Sequence, residues 1–127
     1  MAVIGIGIDV VPADRVKEML DRHGSRMLER LFTPSELRYA EDLAHKTLFL
    51  AGRLAAKEAA YKALCARGAD LGIRWQHLEV IRLPDGRPEL HLYGPALRRF
   101  EALGASSALL SLSHDGGIAA AVVILQS

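Results

Sequence analysis

Between Phe49 and Leu64 the chain reads FLAGRLAAKEAAYKAL, a helical pattern in which four of sixteen residues, Arg53, Lys57, Glu58 and Lys62, are ionised. Ala55, Ala56, Ala59 and Ala63 share one side of the wheel. A side that smooth lets a helix lie close on a sheet, which narrows the folds open to the chain. Glu58, Tyr61, Lys62 and Cys65 fall within about 100° of one another on another side. Glu58 and Lys62 are adjacent there, and Arg53 and Lys57, also one turn apart, make a second pair nearby. On a merely solvated helix such pairs contribute a few tenths of a kcal/mol, and the helix taken alone favours that reading.

The surrounding composition is that of one globular unit. The 127 residues are 50% hydrophobic, enough for a single core without disulfides or a structural metal. Net charge is +1 with both signs plentiful, so the chain lacks the excess that nucleic acid would call for. Cys65 is the only cysteine, which excludes an internal disulfide and a multi-cysteine zinc site and suits a reducing cytosol; it reads as a small apolar helix residue. The opening MAVIGIGIDVV has no basic leader, carries Asp9 and is about ten residues of apolar chain, too short for a span of roughly twenty. A cytoplasmic protein without a membrane segment is expected.

In VIGIGIDVV, Ile4, Ile6 and Ile8 alternate with Gly5, Gly7 and Asp9, the period of a strand with one aliphatic and one nearly bare face. A bare face invites another backbone or a ligand beside the carboxylate; a bulge ending in a terminal Asp fits the segment equally well. From Asp14 to about Arg30 the pattern is helical, and Arg15, Met19, Arg22, Arg26 and Arg30 share one stripe. Such a stripe suits an acidic helix of a partner, against the plainer reading of a solvated face. LFTPSEL has Thr33 as N-cap, Pro34 at the first helical position, Glu36 closing a capping box, and Phe32 with Leu37 as a hydrophobic staple, on a helix expected to reach about Ala44. Strands around Pro84-Asp85-Gly86 predict a hairpin, and Pro95 opens a short helix ended by Gly104. A second hairpin is predicted to turn at His114-Asp115-Gly116-Gly117, its last strand apolar throughout and hence central. Together these predict an α+β domain with a mostly antiparallel sheet packed on helices. The bare first strand and alanine-rich helix suggest burial completed by a neighbouring subunit.

Adding Asp9 changes what the charged helix can do. Carboxylates from two elements, one on a glycine-bared strand, can share a hard cation such as Mg²⁺, which keeps positions open for phosphate oxygens. Lysine and arginine on the same helix would offset further phosphate charge. The constellation points to phosphoryl-type transfer, with a Mg²⁺-dependent nucleotide phosphatase as the runner-up.

GIGIDVV, RLFTPSEL, FLAGRLAAKEAAYKAL and SLSHDGGIAAAVVI occur in this order in a chain of this length. Together they strongly resemble the holo-(acyl-carrier-protein) synthase family, the short single-domain phosphopantetheinyl transferases, over essentially residues 1–127. The GR-x-AAKEA-x-x-KA pattern is the most specific part. The resemblance implies Mg²⁺-dependent transfer of 4′-phosphopantetheine from coenzyme A to a serine of apo acyl carrier protein, releasing adenosine 3′,5′-bisphosphate. It assigns Asp9 and Glu58 to the metal and Lys62 to the pyrophosphate. Glu58, directly or through a water, would act as base for the serine. Arg53, Lys46 and His114 would meet coenzyme A phosphates, and Gly86 and Pro88 would lie near the adenine. His114 also reads as an ordinary turn residue. Arg15, Met19, Arg22 and Arg26 would dock the acidic carrier, in a homotrimer whose active sites lie between subunits. Two departures stand out: CARGADLGIRW, Cys65 to Trp75, replaces a short glycine-threonine-glycine loop, and Pro12 stands where an acidic residue is usual. A transferase serving a polyketide-type carrier and a non-catalytic carrier-binding subunit are the alternatives; retention of Asp9, Glu58 and Lys62 speaks against the second.

Overall fold

The computed structural model describes residues 1–65 and 71–127, so residues 66–70 of the unusual Cys65 to Trp75 loop lie outside the described residues. Strand β1 (Val3–Pro12) leads into helices α1 (Ala13–His23), α2 (Ser25–Leu31), α3 (Pro34–Ala40) and the long α4 (Lys46–Leu64). A 3₁₀ turn at Trp75–His77 precedes the hairpin of β2 (Leu78–Arg82) and β3 (Pro88–Leu92), then α5 (Gly94–Ala102) and the hairpin of β4 (Ser107–Asp115) and β5 (Ile118–Gln126). This is the expected α+β arrangement. The antiparallel strands form two sheets: three strands in the order β1-β5-β4, and β2-β3 apart from them. The apolar last strand is central, as its sequence predicts.

Helix α4 lies flush on β1, and the glycines of β1 are the reason. A Cβ on Gly7 would sit 1.9 Å from the Ala59 carbonyl oxygen, and one on Gly5 would sit 2.6 Å from that of Ala63. The bare face along Gly5 and Gly7 is therefore filled by helix backbone, the first of the two occupants its sequence allows. Ala55, Ala59 and Ala63 are buried there over Ala119, Ala121, Val123 and Leu125 of β5. The aliphatic face of β1 points away from the helices: Ile6, Ile8 and Val10 are 62, 63 and 52% exposed. They pair across the ladder with the half-buried Ile124, Val122 and Ala120 of β5.

Three local expectations need correction. The helix from Asp14 does not run on to Arg30: Gly24, at φ +67°, ends α1, and α2 starts afresh at Ser25. An isolated glycine costs a helix about 1 kcal/mol and frees the chain to turn, which breaks the basic stripe in two. Helix α3 stops at Ala40, four residues short of Ala44. His114 and Asp115 belong to β4, pairing with Ala119 and Ile118, and the turn is Gly116-Gly117 alone, both at positive φ. Two left-handed residues are what a tight hairpin turn requires. The capping box forms as read, with Thr33 N–H donating to Glu36 Oε1 at 2.8 Å and Glu36 N–H to Thr33 Oγ1 at 3.3 Å.

Candidate active site

Asp9 follows the two glycines on β1, and Glu58 sits one residue before Ala59 on α4. Where strand and helix touch most closely, these two carboxyls are near enough to shift each other's titration. Lys62, one turn beyond Glu58, donates to Asp9 Oδ1 and to the Ile8 carbonyl, both at 3.0 Å. From α1, Arg15 pairs with Glu58 Oε1 at 3.3 Å. Burial, with the neighbouring Asp9 carboxylate behind it, pushes Glu58 up to about 7. Burial also works to raise Asp9, but its hydrogen bonds with Glu58 and Lys62 and the Lys62 charge outweigh it and leave its pKa low.

Asp9 Oδ2 is buried and lacks a hydrogen-bond partner. An unpaired carboxylate oxygen beside a second carboxyl can be met by a proton or by a cation. Among the described residues no third histidine, cysteine or acid joins the pair. That donor set fits Mg²⁺, which takes one or two carboxylates and fills its remaining positions with water and phosphate oxygens.

A second group of the named residues gathers elsewhere. Arg53, two turns along α4, is 8% exposed and lies over the Phe49 ring, 4.1 Å from its centroid. Its Nε is buried and has no partner. Phe49 stacks on Tyr39 at 5.2 Å, and Arg82 in turn donates to the Tyr39 hydroxyl at 2.5 Å. Arg53, Arg82, Gly86, Pro88 and His114 line one cleft of about 670 Å³, and a second of about 510 Å³ shares Phe49, Arg53 and His114 with it. Stacked guanidiniums with free donors are suited to phosphate oxygens.

Within one chain the named residues therefore fall into two separate groups. Asp9, Glu58, Lys62 and Arg15 form one; Arg53, Gly86, Pro88 and His114 form the other, whose linings include none of the first group. Lys46 stands at the first turn of α4, beside a different depression shared with Ser25, Glu29, Arg38 and Glu41. Arg22, Arg26 and Arg30 still converge, with His23 and Met27, on one depression across the Gly24 break. Met19 is half-buried beside Leu20, Met27 and Leu28. Lys57, which shares a helix face with Arg53 on the wheel, faces no phosphate: it is fully buried against Glu36. Sequence reasoning passed over Arg82 and Tyr39, since a strand arginine and a helix tyrosine far apart in the chain carry no local motif.

A family model described as the 4′-phosphopantetheinyl transferase superfamily matches residues 5–123. A curated holo-[acyl-carrier-protein] synthase of Trichlorobacter lovleyi is 46% identical over 125 residues, covering 98% of each chain. Among solved structures, the holo-[acyl-carrier-protein] synthase of Neisseria meningitidis superposes with a TM-score of 0.87 at 31% identity, over 99% of this chain and 100% of that one. The enzyme of Helicobacter pylori in complex with coenzyme A superposes with a TM-score of 0.81 at 31% identity, over 95% of this chain and 99% of that one.

Proposed function

The chain belongs to the 4′-phosphopantetheinyl transferase superfamily, and from that premise we propose how its residues transfer the phosphopantetheine arm of coenzyme A to an apo acyl carrier protein. The observation that carries the assignment is the pairing of Asp9 and Glu58 around an unpartnered carboxylate oxygen, with Lys62 alongside.

Asp9 and Glu58 would hold Mg²⁺, which when bound would withdraw charge from the pyrophosphate of coenzyme A. Lys62, already poised on Asp9 at 3.0 Å, offsets charge on the departing phosphate. Glu58, directly or through a water it positions, takes the proton from the carrier serine. A serine oxygen to phosphorus bond forms, the pyrophosphate bond breaks, and adenosine 3′,5′-bisphosphate leaves. Arg53 and His114 bind phosphate in the cleft, Gly86 and Pro88 border the adenine, and Lys46 is an outer cation at the start of α4.

The acidic carrier docks on Arg15, Met19, Arg22 and Arg26. The basic surface starts at Arg15, which touches Glu58, so a carrier lying along α1 and α2 brings its serine to the carboxylates. We further propose a homotrimer, in which Asp9 and Glu58 of one subunit face the hairpin cleft of the next. The exposed Ile6, Ile8 and Val10, with the edge of β1 that pairs with no strand among the described residues, supply an apolar surface for such a contact. No helix among the described residues is long and apolar enough to cross a membrane, and with a single cysteine a cytoplasmic location is the natural assignment.

Intact-mass spectrometry of an apo acyl carrier protein, incubated with the protein and coenzyme A with Mg²⁺ or with EDTA, tests the assignment. A gain of one phosphopantetheinyl group only in the Mg²⁺ sample supports it. A gain undiminished by EDTA removes the metal, and no gain with any of several carriers removes the transfer itself.

A further inference from the structure

The hairpin of β2 and β3 is the one wall of the coenzyme cleft that no sheet ladder ties to the rest of the described fold. A two-stranded hairpin is marginal by itself and needs packing to hold it in place. One edge of β2 pairs with β3; the other presents the Leu78 carbonyl and the Val80 N–H, both buried. Lys57 and Glu36 meet that edge as a strand would. Lys57 Nζ donates to the carbonyls of Leu78 at 2.5 Å and Trp75 at 3.0 Å, and pairs with Glu36 Oε1 at 2.7 Å. Glu36 Oε2 accepts from the Val80 N–H at 2.9 Å, while Oε1 also takes the Thr33 N–H at the N-cap of α3. All three ammonium donors are used, and both carboxylate oxygens are engaged. The next residue of β2, Glu79, accepts from the Thr33 hydroxyl on one oxygen and from the Tyr93 hydroxyl at 2.8 Å on the other.

We infer that Lys57 is a positioning residue for coenzyme binding: with Glu36 it replaces the missing partner of β2's open edge and so fixes how far the hairpin stands from α4. Lys57 and Arg53 lie one turn apart on α4, Lys57 holding the base of the hairpin and Arg53 lining the cleft that Arg82, Gly86 and Pro88 close from its far end. Hydrophobic packing alone tolerates sliding; a charged bond to a buried carbonyl does not, because a shift leaves both groups unpaired. The inference rests on the reading that coenzyme A occupies this cleft.

The test compares wild type with three variants: Lys57→Met with Glu36→Gln, which removes both charges together; Arg53→Gln, which changes the cleft alone; and Lys57→Met by itself. With the hairpin loosened, the double variant is expected to unfold cooperatively, raise KM for coenzyme A about tenfold or more, and leave KM for the carrier within about twofold. Unchanged coenzyme KM in the folded double variant, or equal rises in both KM values, overturns the inference. Arg53→Gln separates the two readings: if it leaves coenzyme KM unchanged, the cleft assignment fails; if it raises KM while the double variant does not, only the positioning role fails. Hydrogen exchange on the unmodified protein is a check that needs no variant to fold. The Val80 amide should exchange as slowly as the amides of α4, and fast exchange there overturns the inference.

Discussion

Lys57 and Glu58 are consecutive residues of one helix, yet they stand in opposite conditions. Lys57 is fully enclosed and every donor it has is bonded. Glu58 is partly open, held by one arginine at 3.3 Å and crowded by a second acid, one of whose oxygens is buried without a partner. A turn of about 100° moves the side chain from the hairpin to the strand edge. A polar group whose bonds are complete serves the fold; one whose bonds are incomplete is where a ligand can enter. The most direct way to break this contrast is Glu58→Gln, which keeps the shape and removes the charge. Transfer should fall by about a thousandfold or more while thermal unfolding stays close to wild type. Steady-state kinetics beside a melting curve reads both, and near-normal turnover takes Glu58 out of the chemistry.

The neighbouring substitution should do the reverse. Lys57→Met alone leaves Glu36 buried with an unpaired charge, and breaking a buried pair from one side typically costs about 3–5 kcal/mol. Denaturant unfolding should show most of that loss, and adding Glu36→Gln should return a good part of it. If the single and double variants are equally unstable, the charge of Glu36 is not what the lysine balances.

Titration sharpens the same comparison. Glu58 is raised in the fold to about 7 from an ordinary 4.5, so its protonated form is the one the metal-free fold favours. That contribution is complete below about 4.5 and is lost as pH climbs through about 7. In EDTA, wild type should therefore lose stability relative to Glu58→Gln across this window, the two curves separating as pH rises. Parallel curves would mean that neither burial nor Asp9 raises Glu58.

What could be read from the chain divides along a physical line. The Thr33 to Glu36 capping box is a pattern four residues long whose bonds close within itself, and it was legible in full. So were the strands, because period-two patterning and the Gly86 and Gly116-Gly117 turns are local. Asp9, Glu58 and Lys62 came together as expected since the glycines of β1 and the alanines of α4 select each other's close approach. Glu36 shows where local reading stops. The same side chain that caps α3 also binds Lys57 and the Val80 amide, 44 residues away, and nothing in LFTPSEL announces those partners. Nor could the sequence say which face of β1 turns inward: isoleucines look like core, but here the glycine face is the packed one because a helix backbone occupies it. Gly24 was passed over inside a stretch read as one helix, and its positive φ is what ends α1 there.

The smallest expected effect concerns the two cations that the phosphate assignment places on α4. Arg53 is buried against Phe49 with a donor left over, so a phosphate oxygen that meets it gains a charged hydrogen bond in a desolvated setting. Lys46 is half-buried two turns earlier, beside Glu29 and Glu41, where water and neighbouring acids screen it. Arg53→Gln should raise KM for coenzyme A about tenfold, since a bond to a charged group contributes about 1.5–3 kcal/mol. Lys46→Gln should raise it by no more than about threefold, in keeping with a charge screened by water and nearby acids, and that increment should shrink with added salt whereas the Arg53 effect persists. Measuring both variants at low and moderate ionic strength distinguishes the roles. A Lys46 effect as large and as salt-resistant as that of Arg53 would mean that the phosphate reaches past the cleft to the start of α4, and the boundary of the coenzyme site would have to be redrawn around that turn.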